Sequence, residues 1–255
     1  MTTHIATAWL VAVLLLSIRI GMVLVMTPAL GSSSLPVRIR VLLVLAFSAA
    51  LASALNLHST IDLSSPFDLV LAALHEVFWG GLLAFGLLAA FSAFMVGGRV
   101  LDMQIGFGLS SLLDPSTRNN SPLLGVALHM FAIAWFLAAD AHHALLRGLT
   151  KSLALIPLGS GFSQVPVDAI VHHFGVMFSL GLVLVGAAVV CLLLVDVGMG
   201  VASRVLPQAN VFVLSVPVKI LAGLSTLALA TLYMQPVMKK IFGLVFGYWE
   251  AVLVR

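Results

Sequence analysis

Few side chains in this sequence could do chemistry. Of 255 residues, 9 are Asp or Glu, 12 are Lys or Arg, 8 are His and one is Cys. Glu76 is the most conspicuous, about two helical turns into the apolar run LVLAALHEVFWGGLLAFG. A charge at a lipid-facing helix centre costs about 2.5–3.5 kcal/mol on insertion scales. Ala72, Glu76, Gly80 and Ala84 form an i, i+4 stripe. Small residues on the charged face predict close helix contact, so Glu76 is expected to face protein or water. It is then either a proton or ion site or a structural carboxylate, neutral or paired. Lys219 is a second charge inside an apolar stretch, two residues after Pro217.

The histidines gather in DAHH (140–143) and VHH (171–173). Asp140 and His143 share a helical face at i, i+3, which suits a metal. Adjacent histidines diverge by about 100° on a helix, however, and neither a ligating Cys nor an H-E-x-x-H pattern accompanies them. No metal and no cofactor is expected. Ser110, in GFGLSSLL, matches no G-x-S-x-G nucleophile motif. Cys191 lies in an apolar run and reads as a small packed side chain. Catalysis is not expected.

The elements that position these residues are written in the composition. The chain is 62% hydrophobic and 8% charged, with mean hydropathy +1.19. A soluble domain carries roughly a quarter charged residues, so this chain must be solvated by lipid or by equally apolar subunits. The formal net charge of +3 is spread thinly, and no basic run suggests nucleic acid. Apolar stretches at about 5–26, 41–57, 69–96, 123–146, 169–203 and 209–235 predict an all-α integral membrane protein with about six helical segments. The first has neither the basic flank nor the cleavage site of a signal peptide. The second is short for a span. The fifth would reach roughly 50 Å against a ~30 Å hydrocarbon core, so it is expected to bend, tilt or fold back. Pro217 and Lys219 argue against a plain straight sixth span. Turn-forming breaks fall at 31–40, 58–68, 106–125 and 151–168, and one domain is expected.

Orientation is balanced. Six simple spans put Arg147, Lys151, Lys239, Lys240 and Arg255 on one side and Arg38, Arg40, Arg99, Arg118 and Arg204 on the other. A plain bundle usually shows a bias of Lys and Arg, so some segments are expected not to cross lipid in the finished structure. The C-terminal run KKIFGLVFGYWEAVLVR (239–255) is amphipathic, with Lys239, Lys240, Gly243, Gly247 and Glu250 on one face. It suits a helix at the interface or docked on a neighbour.

The central passage GFGLSSLLDPSTRNNSPLLG (106–125) is the longest interruption. Gly97, Gly98, Gly106 and Gly108 weaken helix on its N-terminal side. Asp114-Pro115 favours a turn, and Asn119-Asn120-Ser121-Pro122 can start the next helix. Its first half stays apolar, with Met103, Ile105, Phe107, Leu109, Leu112 and Leu113. Two readings fit: a plug or constriction in a channel, or a surface loop dipping into the interface.

Five motifs in order then resemble a known family. They are SIRIGMVLVMTPALGSSSLPVRIRVLLVLA (17–46), EVFWGGLLAFG (76–86), GFGLSSLLDPSTRNNSPLLG, FLAADAHHALLRGLTKSLALIPLG (136–159) and LPQANVFVLSVPVKILAG (206–223). Nearly the whole chain is similar to the FliR family of flagellar biosynthesis proteins and its virulence-injectisome counterparts, the export-gate subunits of type III secretion. Ser215 stands where many flagellar members have Gly, and AADAHH replaces the usual Gly or Asn beside the His.

The resemblance implies a non-enzymatic subunit in the bacterial inner membrane, at the flagellar basal body. It would pack with FliP and FliQ into a helical gate, with FlhB wrapping the entrance, and pass unfolded proteins. A central plug loop (97–122) is implied, carried by Ile105, Gly106, Phe107, Gly108, Leu109, Leu112, Leu113, Asp114 and Pro115. The fifth motif implies subunit contact at Pro207, Gln208, Asn210, Phe212 and Pro217, and the C-terminal amphipathic helix would span 236–255. A proton- or metal-coupled transporter using Glu76, Asp140 and the histidines is the main rival reading.

Overall fold

The computed structural model describes residues 2–28, 36–59, 65–107, 122–161, 166–205 and 211–254. Among them the regular structure is all helical: α1 (Thr2–Met26), α2 (Val37–Ala54), α3 (Pro66–Ile105), α4 (Leu123–Ala138), α5 (Ala141–Leu155), α6 (Val167–Val205), α7 (Val211–Thr231) and α8 (Gln235–Leu253). The all-α membrane class read from composition is therefore the observed one. Five of these helices are long and apolar enough to cross a membrane, or six if α4 and α5 form one broken span.

Local sequence explains several ends. Ser65 Oγ accepts the Asp68 N–H at 3.4 Å, Pro66 opens α3 and Asp68 lies in its first turn; that order satisfies free N–H groups and the helix dipole. Asp168 in the first turn and Arg204 in the last complement the dipole at the two ends of α6. Asp140 adopts φ 55°, ψ 22°, a left-handed conformation that cannot continue a helix. The single stretch expected at 123–146 is accordingly two helices. The fifth stretch, expected to bend, tilt or fold back, does not fold back: it is one continuous helix of 39 residues. Pro217 lies inside α7 without ending it.

The chain divides into two compact units. The first comprises Met1–Leu88, Phe136–His173 and Leu244–Arg255. Here α1 packs on α2 and on the first half of α3. A Cβ on Gly80 would lie 3.0 Å from the Arg19 carbonyl oxygen, so the small-residue stripe Ala72–Glu76–Gly80–Ala84 is the buried face of α3. The end of α8 docks through Tyr248 and Trp249, which donate to the carbonyls of Leu82 at 3.2 Å and Leu83 at 2.9 Å. Its polar residue Glu250 stays outside and meets Lys151 at 2.5 Å.

The second unit comprises Ala89–Trp135 and Phe174–Gly243. Phe242 anchors an aromatic cluster, stacked on Trp135 at 5.5 Å and on Phe94 at 6.0 Å, and edge-on to Phe91 at 5.3 Å. A Cβ on Gly98 would lie 2.4 Å from Gly125 Cα, and one on Gly97 would lie 2.5 Å from the Gly181 carbonyl oxygen. These glycines admit neighbouring backbones; they do not loosen the chain. Residues 97–105, the first part of the plug loop that the resemblance implied, are the last turns of α3.

Candidate functional site

Three polar constellations stand out among the described residues. The first lies in the first unit. Arg19 and Glu76 are both almost fully buried, at 1% and 0% exposure. Arg19 Nε donates to Glu76 Oε2 at 2.6 Å and Nη2 to Oε1 at 3.1 Å. The Gly159 N–H adds a third bond to Oε1 at 3.0 Å. The remaining guanidinium nitrogen donates to the carbonyls of Ile156 at 2.9 Å and Ser152 at 3.4 Å. The network ties α1, α3, the end of α5 and the turn after it. Both Glu76 oxygens thus accept hydrogen bonds from within the chain, as a structural, paired carboxylate would. Sequence reasoning placed Glu76 against protein or water but did not pair it with Arg19; the signal available was a lone basic residue mid-way in the first apolar stretch.

The second constellation lies in the second unit, where the chain leaves α3 and enters α4. Asp102 is 4% exposed. Its carboxylate accepts the Leu124 N–H at 3.0 Å on either oxygen and the Gly125 N–H at 3.2 Å. These are free donors of the first turn of α4, and the acid also complements the helix dipole. Three residues on, Ile105 is 1% exposed, and a Cβ on Gly223 would lie 2.6 Å from its Cδ1. Ile105, expected in the plug, is thus a packing residue of the helix end. Gly106 takes φ 97°, a conformation open to glycine, and turns the chain out of α3; Phe107 is half-buried. Gly108, Leu109, Leu112, Leu113, Asp114 and Pro115 lie outside the described residues.

The third is an ion pair in the same unit. Lys219 Nζ meets Asp196 Oδ1 at 2.5 Å, which answers the charge that looked out of place in the apolar seventh helix. Pro217 is exposed on α7. Pro207, Gln208 and Asn210 lie outside the described residues, and nothing is described of the Phe212 side chain.

Among the described residues, one group brings possible metal ligands together. Asp140, His142 and His143 present ligand atoms within 4.8 Å of one another, and the two rings stand 4.2 Å apart. His142 had been set aside because adjacent histidines diverge on a helix, yet it stands in this cluster. Ligand atoms around a tetrahedral zinc lie roughly 3.4 Å apart, from bonds of about 2.0–2.2 Å. The His143 Nδ1 to Asp140 Oδ1 distance of 3.4 Å meets that spacing, and the wide end of the spread does not.

Comparison with known proteins adds a family. The bacterial export proteins, family 1, match residues 10–245. The chain is 30% identical over 244 residues to the flagellar biosynthetic protein FliR of Bacillus subtilis (strain 168), covering 91% of each chain. It is 26% identical to FliR of Escherichia coli (strain K12), over 86% of this chain and 84% of that one. It is also 30% identical to the Yop proteins translocation protein T of Yersinia pestis, over 66% of this chain and 65% of that one.

Proposed function

Because the chain belongs to the bacterial export proteins, family 1, we propose that it is a core subunit of the flagellar type III protein-export gate. In this reading the whole chain is one gate subunit of the bacterial inner membrane, seated in the basal body. It assembles with FliP and FliQ, has FlhB as a neighbour, and passes unfolded proteins. It works by gating, and the segment after α3, with Phe107, Leu109, Leu112 and Leu113 foremost, seals the resting channel.

One observation carries this reading. The apolar side chains of α6 and α7 are largely uncovered, among them Leu193, Leu194, Val197, Leu221 and Leu229, and only 6% of Leu214–Thr231 is buried. At about 1.5 Å per residue, α3 and α6 reach roughly 60 Å, about twice the hydrocarbon core. Helices so long and so uncovered suit packing against other apolar subunits as well as lipid. The rival transporter reading is disfavoured by the Arg19–Glu76 pair, which leaves its central carboxylate engaged. The 30% identity to the Yersinia translocation protein supports an injectisome gate as the second reading.

The test is co-purification: untagged FliP and FliQ should follow a tagged copy of this chain. Deleting residues 109–113 should then raise small-solute leakage while the complex still forms. Failure of FliP and FliQ to co-purify, or an unchanged leak in the deleted complex, would overturn the corresponding half of the proposal.

A further inference from the structure

We propose that the cleft between α5 and α8, in the first unit, binds an anionic phospholipid, with the phosphate on Arg147 and an acyl chain along Gly148, Phe246, Trp249 and Leu253. The site goes beyond the export reading and does not rest on it.

The cleft holds about 220 Å3. Its floor is apolar and fixed in place. Trp249 is 2% exposed, and its Nε1 donates to the Leu83 carbonyl at 2.9 Å. Gly148 leaves room for the indole: a Cβ there would lie 2.5 Å from Trp249 Cζ3. Phe246 and Leu253 line the same cleft. A concave apolar surface with a few placed polar groups is the usual form of a small-molecule site. Here the ligand must bring hydrocarbon to cover that floor.

The polar groups set its charge. Arg147, Lys151 and Glu250 also line the cleft, and all three are exposed. Lys151 meets Glu250 at 2.5 Å, and among the described residues no ion pair engages Arg147. The cleft thus keeps one uncompensated cation beside a hydrocarbon floor. A guanidinium matches the oxygens of a phosphate in pairs. Free phosphate would leave the floor uncovered, and a lipid of no net charge brings its own cation with its phosphate. An anionic phospholipid satisfies both halves of the cleft.

The elements place the cleft within reach of such a lipid. The apolar helix α4 is followed by α5 at a bend of 73°. Helix α5 buries Ala141, Leu145, Leu149 and Leu153 and leaves His143, Arg147 and Lys151 exposed, one row at i, i+4 and i+8. A helix turned aside from an apolar one, with a basic row outward, suits the headgroup level of a bilayer. A lipid leaflet would meet the cleft there at high local concentration, which favours lipid over a passing apolar peptide.

The experiment uses the full chain purified in detergent, measured by native mass spectrometry with added phosphatidylglycerol, phosphatidylethanolamine or inorganic phosphate. Phosphatidylglycerol should be retained about fivefold more than phosphatidylethanolamine, the factor for about 1 kcal/mol per basic group at an anionic surface. Arg147→Gln should remove that preference. Glu250→Gln frees Lys151 and should raise it by a similar factor, a gain that damage to the fold would not produce. K239Q/K240Q, which changes basic residues that do not line the cleft, should leave it unchanged. Equal retention of the two lipids overturns the proposal, as does a preference that survives R147Q or falls as far in K239Q/K240Q. If R147Q does not purify, E250Q decides: a raised preference supports the site and an unchanged one overturns it. Displacement of phosphatidylglycerol by inorganic phosphate would show an anion site without a chain, and would also overturn it. The preference should persist when the chain is purified with its co-purifying partners. Its loss there would make a neighbouring subunit the occupant and overturn the lipid.

Discussion

Arg19 and Glu76 stand 57 residues apart in sequence and meet as a two-pronged ion pair, Nε to Oε2 at 2.6 Å and Nη2 to Oε1 at 3.1 Å. Removing one partner strands the other's charge in a buried site, which costs about 3–5 kcal/mol for buried pairs. Glu76→Ala and Arg19→Ala should therefore each lower the thermal midpoint in detergent and the amount of protein accumulated in the membrane. The double variant R19M/E76L should recover most of that loss, since apolar side chains of similar volume often replace a buried pair at no net cost. Export should survive in the double variant. Loss of export with normal accumulation would restore Glu76 as a proton or ion carrier.

Glycines along α3 and α6 should separate into two kinds. A Cβ at Gly181 would lie 2.4 Å from the Ala93 carbonyl oxygen, whereas one at Gly186 meets nothing within 4 Å. Gly181→Ala and Gly98→Ala should destabilise the isolated chain by about 1–3 kcal/mol, as overpacking does. Gly186→Ala should be neutral or stabilise by up to about 1 kcal/mol through helix propensity. Thermal unfolding in detergent measures all three.

Lys219 and Asp196 predict a smaller coupled effect. Their side chains are 20% and 46% exposed, on helices rich in uncovered apolar residues. Asp196→Ala leaves Lys219 without its partner, at a cost of up to about 2.5–3.5 kcal/mol on insertion scales. The double variant D196A/K219A should insert better than D196A alone in a membrane-insertion assay. Equal insertion would mean the pair contributes nothing.

Alkaline titration should reveal Tyr248. Burial pushes its phenol from 10.0 up to about 12. The folded state holds the proton more tightly than the unfolded chain, so this contribution is complete below about pH 10 and is lost as pH rises towards 12. Tyr248→Phe should forfeit the bond to the Leu82 carbonyl, about 0.5–1.5 kcal/mol, and flatten the decline in stability between those values. Unfolding midpoints across pH 8–12 would show it.

Much of the candidate site was legible one residue at a time. Glu76 on a stripe of small residues predicted a buried helix contact, and Gly80 proves to be that contact. The amphipathic C-terminal run predicted a docked or interfacial helix, and Tyr248 and Trp249 dock it. The glycines at 97 and 98 were misread, because a glycine that admits a neighbouring backbone and a glycine that loosens its own look alike in sequence. Asp102 was missed altogether, since a carboxylate near a helix end gives no sign that it caps a different helix.

The sequence by itself determined that this chain is helical and apolar and where most of its helices start and stop. Those properties depend on composition and on neighbours within a turn or two, as Ser65-Pro66 and Asp168 show. Only the tertiary structure decided which charges meet, Glu76 with Arg19 and Lys219 with Asp196, and that Asp102 closes the gap between α3 and α4. Such pairings depend on how segments tens of residues apart approach in space, and in so apolar a chain each buried charge has few partners that can hold it.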